Sequence, residues 1–496
     1  MRILVIGAFG TVGRQLVPAL VAAGHQLRVS SRDANKPWPW SDLSCQRVTL
    51  DLLQANSLPS ALLDIELVYY LMHGMSDGQS HCDREIRAAR HLAQAASEAS
   101  VKRIIYLGSL ISAKPKSEHM LARIATGQAL ASTGLAVTEL RAGIIIAPGS
   151  AAFEVMRDLV GHMPVALVPR AIETLTPPIA LSNLLHYLLA LAELPETAGK
   201  VLDAAGPEWL TYRQLMLKIA KALAARIKII AVPGLPIRLA CLALGLITSV
   251  SRELATALIA GLAEPLQAKP DELRRLIPQH LLSVDQAIAQ VLQEERVLCY
   301  PSRWRDGVPT FRKFSPLHGF YAKSAKQQLV AVASPSAIWQ VVNLLGGKHR
   351  YFYLNSLWAL REWFDYIFGG PGREHGRTDY LNLNVGERVD SWTILSAEEN
   401  RCLVLGFGMK APGGGGMQIT IEPLDSQRSR IEVGLYWHPA GFWGLVYWYF
   451  FAPWHRWLLY GMTKKMASLA ENNEQVEAAL RKSKIHSGST DEGRFG

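Results

Sequence analysis

The sequence predicts two domains in tandem. An α/β domain built on a parallel sheet occupies residues 1–300, an α+β domain occupies 301–480, and 481–496 form a polar, disordered tail. Three observations predict this. Up to about Gly206, short apolar runs alternate with stretches of helix-spaced Leu, Ala and Val, the pattern of a parallel sheet covered on both faces. A glycine triplet follows the first apolar run. After the polar, irregular stretch Pro301–Pro316 the pattern changes to strands separated by turns, opened by a short helix and closed by a long one.

The runs Ile3–Ile6, Gln26–Ser30, Arg47–Leu50, Leu67–Leu71 and Arg103–Leu107 read as the parallel strands. An Ala-rich helix from about Asp83 to Ser100 has side chains small enough to lie close against them. Thr211 and Ser283, each followed three residues later by Gln, have capping-box spacing and open further helices. Residues 233–300 read as mostly helical, with Pro233–Val250 a buried or amphipathic helix. In the second domain Ser334-Pro335 caps a helix over Ala337–Leu345. Strands follow at Trp392–Ser396, Cys402–Gly408, Met417–Glu422 and Arg430–Tyr436, with Gly413–Gly416 as a flexible loop and a closing helix over about Trp454–Leu480. In Met417–Glu422 apolar and polar residues alternate, which marks a half-buried antiparallel strand.

The chemistry begins at Gly7-Ala8-Phe9-Gly10-Thr11-Val12-Gly13, between the first strand and the first helix. Gly7 permits a tight turn, Gly10 lets a pyrophosphate approach the backbone, and Gly13 lets helix and strand pack closely. Phe9, Thr11 and Val12 complete the loop and the first turn, whose free N–H groups suit phosphate. The second strand ends Val29-Ser30-Ser31-Arg32, with no acid to accept from a ribose 2′-hydroxyl. Ser31 and Arg32 therefore favour the 2′-phosphate of NADP(H) over NAD(H). Asp51 and Leu52 end the third strand, where an adenine amino group is expected. Met72, in Tyr70-Leu71-Met72-His73, ends the fourth, beside the expected nicotinamide ribose.

These residues, with Arg103–Ser109, Leu140-Arg141-Ala142-Gly143 and Pro177-Pro178-Ile179, make residues 1 to about 300 resemble the atypical, extended short-chain dehydrogenase/reductases of the NmrA-like type. Residues from about Val308 to Glu471 resemble the uncharacterised domain often fused behind such reductases in bacteria. That domain is similar to START-like, helix-grip proteins, which enclose apolar ligands. The fold class implied is a Rossmann-type α/β domain followed by a START-like α+β domain.

The resemblance implies catalysis by a Ser, a Tyr and a Lys, the last two spaced Y-x-x-x-K. Ser109 matches the Ser. His119-Met120-Leu121-Ala122-Arg123 stands where the Tyr and Lys belong, with His119 and Arg123 at their positions. His119 could donate a proton, since imidazole titrates near neutrality. Arg123 could bind ribose or act on a neighbour through its charge. The competing reading makes both of them helix-surface residues and the chemistry lost. Three function classes follow: an NADP(H)-dependent oxidoreductase of an apolar carbonyl or quinone-like substrate; a non-enzymatic NADP(H)-binding sensor or assembly protein, a role that resembles accessory subunits of respiratory and quinone-biosynthesis systems; and a lipid or isoprenoid carrier using the second domain.

Composition excludes other classes. With 496 residues, 49% of them hydrophobic and 19% charged, the chain affords packed cores. The 52 Lys and Arg exceed the 42 Asp and Glu by ten without any dense basic run, which argues against nucleic acid as a partner. Five scattered cysteines without a C-x-x-C, and no H-E-x-x-H, predict neither a disulfide framework nor a metal site. The apolar start reads as a strand instead of a signal peptide, which places the chain in the cytoplasm.

One stretch stands apart. Tyr436–Tyr460 carries twelve Phe, Trp and Tyr, and Val433–His455 contains no charged residue apart from its histidines. Pro439 and Pro453 leave the apolar run too short for the roughly 20 residues of a spanning helix. The favoured expectation puts these rings in the core of the second domain. Peripheral contact at the inner face of the membrane, through Trp443, Trp448 and Phe451 with Lys464 and Lys465 behind them, is the alternative.

Overall fold

The computed structural model describes residues 1–34, 38–40, 42–72, 81–248, 252–297, 323–347, 349–367, 383–425 and 427–472. The linker expected at 301–316, His73 and the tail lie outside these residues. The chain divides into two compact units, one built from Met1–Val160 and Pro164–Glu294, the other holding the C-terminal sheet.

In the first unit, β1 (Arg2–Ile6), β2 (Gln26–Ser31), β3 (Cys45–Thr49), β4 (Leu67–Tyr70), β5 (Arg103–Ser109), β6 (Val137–Ala142) and β7 (Val201–Ala204) form a seven-stranded sheet among the described residues. The order is β7-β6-β5-β4-β1-β2-β3, and every pairing is parallel. The continuous apolar run of β1 follows from burial on both faces. Ile3 and Val5 join Leu16 and Leu20 of α1 (Thr11–Ala22) and Leu184 and Leu188 of the helix Leu181–Glu193 in one core. Leu4 and Ile6 join Ala89, Leu92 and Ala96 of α2 (His81–Glu98) in the other. Ala88, Ala89, Ala93 and Ala96 of α2 are buried and Ala95 is half-buried, as close packing on the sheet requires. Strand order reverses between β1 and β4, the point where such sheets leave a crevice at their carboxyl ends.

The two capping boxes form. Thr211 and Gln214 exchange side-chain and backbone bonds of 3.1 and 2.8 Å, and Ser283 and Gln286 do so at 3.3 and 2.9 Å. Pro233–Val250 contains the helix Ile237–Ile247, with Ala240 and Cys241 buried and Leu239, Leu242 and Leu246 exposed.

In the second unit, β8 (Lys323–Ala331) is followed by a helix over Pro335–Asn343, capped by the Ser334 hydroxyl, which accepts from the Ala337 amide. Next come the helix α3 (Asn355–Ile367) and β9 (Arg388–Val389), β10 (Trp392–Glu398), β11 (Cys402–Phe407), β12 (Gly413–Pro423) and β13 (Ser429–Pro439). These form an antiparallel sheet in the order β8-β13-β12-β11-β10-β9. A 31-residue helix, α4 (Gly441–Glu471), packs on β8 and β13. The described residues thus form a mostly antiparallel sheet with a long helix against it.

Three expectations are corrected here. Gly413–Gly416 is not a loop but the start of β12, paired with Tyr436–Pro439. The glycines are needed because the Trp437 indole lies over them: a Cβ on Gly413 would meet that ring at 2.6 Å, and one on Gly415 would meet the Tyr436 carbonyl at 2.3 Å. The closing helix starts at Gly441, not near Trp454, and runs through Pro453. Proline deprives only the Tyr449 carbonyl of its donor, a loss that so long a helix absorbs. The aromatic stretch is not simply core. Trp437 and Trp448 are buried, whereas Phe442, Trp443, Tyr449, Phe450, Trp454, Trp457 and Tyr460 are exposed. A helix lying on a sheet buries one side only, and this helix is aromatic all round.

Candidate functional site

The glycine loop leaves β1 at the strand reversal, and each glycine has a distinct steric reason to be there. Gly7 has φ +84°, a left-handed conformation, and a Cβ on it would lie 2.8 Å from the Leu71 carbonyl carbon at the end of β4. A Cβ on Gly13 would lie 2.5 Å from Ala8 Cα. A Cβ on Gly10 would meet only the Gly7 carbonyl, at 3.3 Å, because Gly10 is exposed at the mouth of the loop. Gly10 is the N-cap of α1 without a side-chain cap, and no acid stands in the first turn. The first N–H groups of α1 are thus left to a ligand, and the dipole end favours an anion. The Thr11 hydroxyl donates to the Gly149 carbonyl at 2.8 Å and Val12 is buried in the core, so both serve the loop through backbone. The Phe9 ring packs against Trp40 at 5.1 Å and Trp38 at 6.1 Å between centroids.

At the end of β2, Ser31 is buried and its hydroxyl bonds the backbone of Asp33. Arg32 is exposed, with no hydrogen-bond or ion-pair partner among the described residues. A second guanidinium, missed in the sequence, reaches the same turn: Arg47 donates to the Asp33 carbonyl at 2.8 Å and lies 5.5 Å from the Trp38 ring centroid. Trp38, Trp40 and Arg47 carry no motif, and only the fold brings them to the loop. The Asp51 carboxylate accepts from the Leu53 amide at 3.1 Å and the Gln54 amide group at 3.2 Å, so it shapes its own turn. Leu52 is buried, and its carbonyl accepts from His91 Nδ1 at 2.9 Å.

Ser109 is the last residue of β5, half-buried, with a hydroxyl that bonds none of the described residues. The helix Glu118–Leu130 follows, with the half-buried His119 in its first turn. Its start is tied down by Glu264, which accepts from the Lys116 and Ser117 amides at 3.0 and 2.6 Å. Arg123 is not a helix-surface residue. It is buried, pairs with the equally buried Glu85 of α2 at 3.0 Å, and donates to the Met72 carbonyl at 3.1 Å. Its guanidinium also lies 5.7 Å from the Tyr106 ring centroid. Desolvation raises the phenol of Tyr106 to about 12 and that of Tyr70 above the ordinary tyrosine range, so both stay neutral. The two later motifs meet as well: a Cβ on Gly143 would lie 3.0 Å from the Pro177 carbonyl, and one on Gly206 would collide with that of Pro178. The carboxyl edge of the sheet thus gathers the glycine loop, Arg32, Met72 and Ser109, with Arg123 holding the chain after β4.

Comparison with known proteins agrees with this geometry. Residues 7–157 match the family described as NAD(P)H-binding, and residues 317–462 match a protein family of unknown function (DUF2867). Sterol demethylase protein B of Methylococcus capsulatus is 32% identical over 113 residues, which make up 22% of this chain and 34% of that protein; the chain therefore spans about a third of that relative's length. Among solved structures, triphenylmethane reductase from Citrobacter sp., complexed with NADP(H), superposes with a TM-score of 0.50 at 18% identity, covering 58% of this chain and 99% of that one. A nucleoside-diphosphate-sugar epimerase from Staphylococcus aureus does so with a TM-score of 0.48 at 18% identity, covering 58% and 99%. The first unit contains an NAD(P)H-binding domain with a Rossmann-type fold.

Proposed function

We propose that the protein is an NADP(H)-dependent reductase of an apolar carbonyl or quinone-like substrate. The observation that carries the reading is the carboxyl edge of the parallel sheet, where an uncapped helix N-terminus, an exposed Arg32 after a strand that carries no acid, and a Ser109 hydroxyl that bonds none of the described residues stand together. When bound, the dinucleotide supplies the hydride. The backbone N–H groups at Gly10–Gly13 would hold its pyrophosphate, and Arg32, with Arg47 beside the same turn, its 2′-phosphate. Ser109 would orient the substrate oxygen by hydrogen bonding, and His119 would give the proton that the reduced oxygen needs. Arg123 acts as a positioning residue, because its charge is already matched by Glu85. The name of the sterol demethylase relative supports an apolar substrate.

We also read the second unit as the START-like, helix-grip arrangement, which would enclose an apolar ligand. What supports this is the sequence of strand, short helix, antiparallel meander and long closing helix.

The test is to assay purified protein for bound NADP(H) and for NADPH oxidation with quinones and aldehydes. His119→Ala should lower turnover by about 10²-fold, the usual size of a lost general acid. A second reading, nucleotide binding without turnover, is favoured by the capture of Arg123 in its ion pair. Bound NADP(H) with no oxidation by any acceptor would establish that reading and overturn the first.

A further inference from the structure

The exposed side of α4 carries an aromatic band. Trp443 is 70% and Phe450 69% exposed, and Trp454, Trp457 and Tyr460 continue the same side of the helix. At 1.5 Å rise per residue, positions 443–460 extend for about 26 Å. Scattered exposed rings are ordinary on a protein surface, but a contiguous band of this length marks an interaction site.

Charge and composition identify the occupant. No Asp or Glu occurs between Val433 and Ala470, while Arg456, Lys464 and Lys465 are exposed on the same helix. A second copy of this chain would bring like charges together, and the formal net charge of +10 adds to that repulsion. Trp and Tyr, flanked by Arg and Lys, are the side chains that suit the boundary between lipid headgroups and acyl chains. No helix among the described residues is long and apolar enough to cross a membrane, so the contact lies in the plane of the surface. We propose that the aromatic face of α4 docks the protein peripherally on an anionic phospholipid surface. This inference concerns the second unit and is independent of any turnover in the first.

The experiment uses the full chain, with sedimentation against vesicles of phosphatidylcholine alone and of phosphatidylcholine mixed with phosphatidylglycerol. Binding to the mixed vesicles, with a blue shift of tryptophan emission, is expected. The exposed-site variant Trp443→Ser/Phe450→Ser/Trp454→Ser should lose vesicle binding and keep its NADPH affinity. Lys464→Glu/Lys465→Glu should weaken binding to the anionic vesicles about tenfold or more, since each basic residue near such a surface contributes a several-fold gain. Failure of the wild type to sediment with anionic vesicles overturns the proposal, as does unchanged binding by both variants. A dimer that the triple serine variant abolishes, without vesicle binding, would assign the face to a second copy. If vesicles bind but NADPH does not, the reductase reading falls and this inference stands.

Discussion

Substituting the three loop glycines should separate nucleotide binding from folding, because their surroundings differ. In Gly10→Ala the new methyl meets one atom, the Gly7 carbonyl, at 3.3 Å, and the backbone at φ −76° is open to any residue. The stability cost is that of a poorer N-cap, about 1 kcal/mol or less. The methyl does, however, stand where a pyrophosphate must approach the first turn of α1. Losing one charge-assisted hydrogen bond there costs roughly 1.5–3 kcal/mol, a fall in affinity of roughly 10–150-fold. In Gly7→Ala the residue must hold φ +84° with its Cβ 2.8 Å from Leu71 backbone, which adds roughly 1–2 kcal/mol for the left-handed conformation to the cost of the clash. In Gly13→Ala the methyl lies 2.5 Å from Ala8 Cα, so α1 must move off its loop; overpacking of this kind costs roughly 1–3 kcal/mol. Denaturant titration paired with NADPH fluorescence titration separates the outcomes. Gly10→Ala should lose binding alone, while the other two should lose binding and stability together. If Gly10→Ala binds NADPH as the wild type does, or is destabilised as much as Gly13→Ala, the steric argument is wrong.

Three further predictions follow from the same geometry. Arg32→Ala should lower NADPH affinity by roughly 10–150-fold, the worth of one charge-assisted phosphate bond, and leave NADH affinity unchanged; equal affinity of the wild type for the two cofactors would sink the assignment. Glu85→Leu and Arg123→Leu should each destabilise by about 3–5 kcal/mol, because each removes one partner of a buried ion pair, and the double variant should recover most of the loss; additive losses in denaturant titration would show that the pair does not act as a unit. Burial against Trp448 and Phe451 pushes the His455 imidazole down to about 4, below its unfolded value near 6.5. The unfolded chain then takes up the proton first, so stability should fall by up to about 3 kcal/mol as the pH drops from 6.5 toward 4. His455→Gln should flatten that limb, and an unchanged slope would refute it.

The parallel sheet and its glycine loop were legible because each depends on a local pattern. A strand buried on both faces has few polar positions, and the steric need that the glycine spacing implies recurs in the structure at Gly7 and Gly13. The ends of the five parallel strands read from the sequence fall within about two residues of those observed, which sufficed to put Ser109 at the edge of the sheet; Val137–Ala142 and Val201–Ala204, which mix polar with apolar residues, were not among them. What depends on distant partners was not legible. An arginine in a helix reads as surface unless its counter-charge is known, and Glu85 stands 38 positions before Arg123. Arg47, Trp38 and Trp40 reach the cofactor loop only through the pairing of β2 with β3. In the second unit, four consecutive glycines read as a loop because the tryptophan that they accommodate belongs to the following strand.

The aromatic stretch was misread for a different reason. A helix is assigned to core or surface by contrast between its faces, and α4 has little contrast over its first twenty residues, where both sides are apolar. With no polar face to mark the exterior, burial of the whole stretch was the natural expectation. The sheet decides instead. It accepts Trp448, Leu459, Met462 and Met466 into its core and leaves most of the opposite rings exposed. Beyond Tyr460 the exposed positions become Lys464, Lys465 and Ser468, and ordinary amphipathic contrast returns. The change along a single helix, from an aromatic outer face to a basic one, is unexpected if the face needs only solvent. It is the order expected if the aromatic segment meets a lipid surface and the lysines stand at its charged rim.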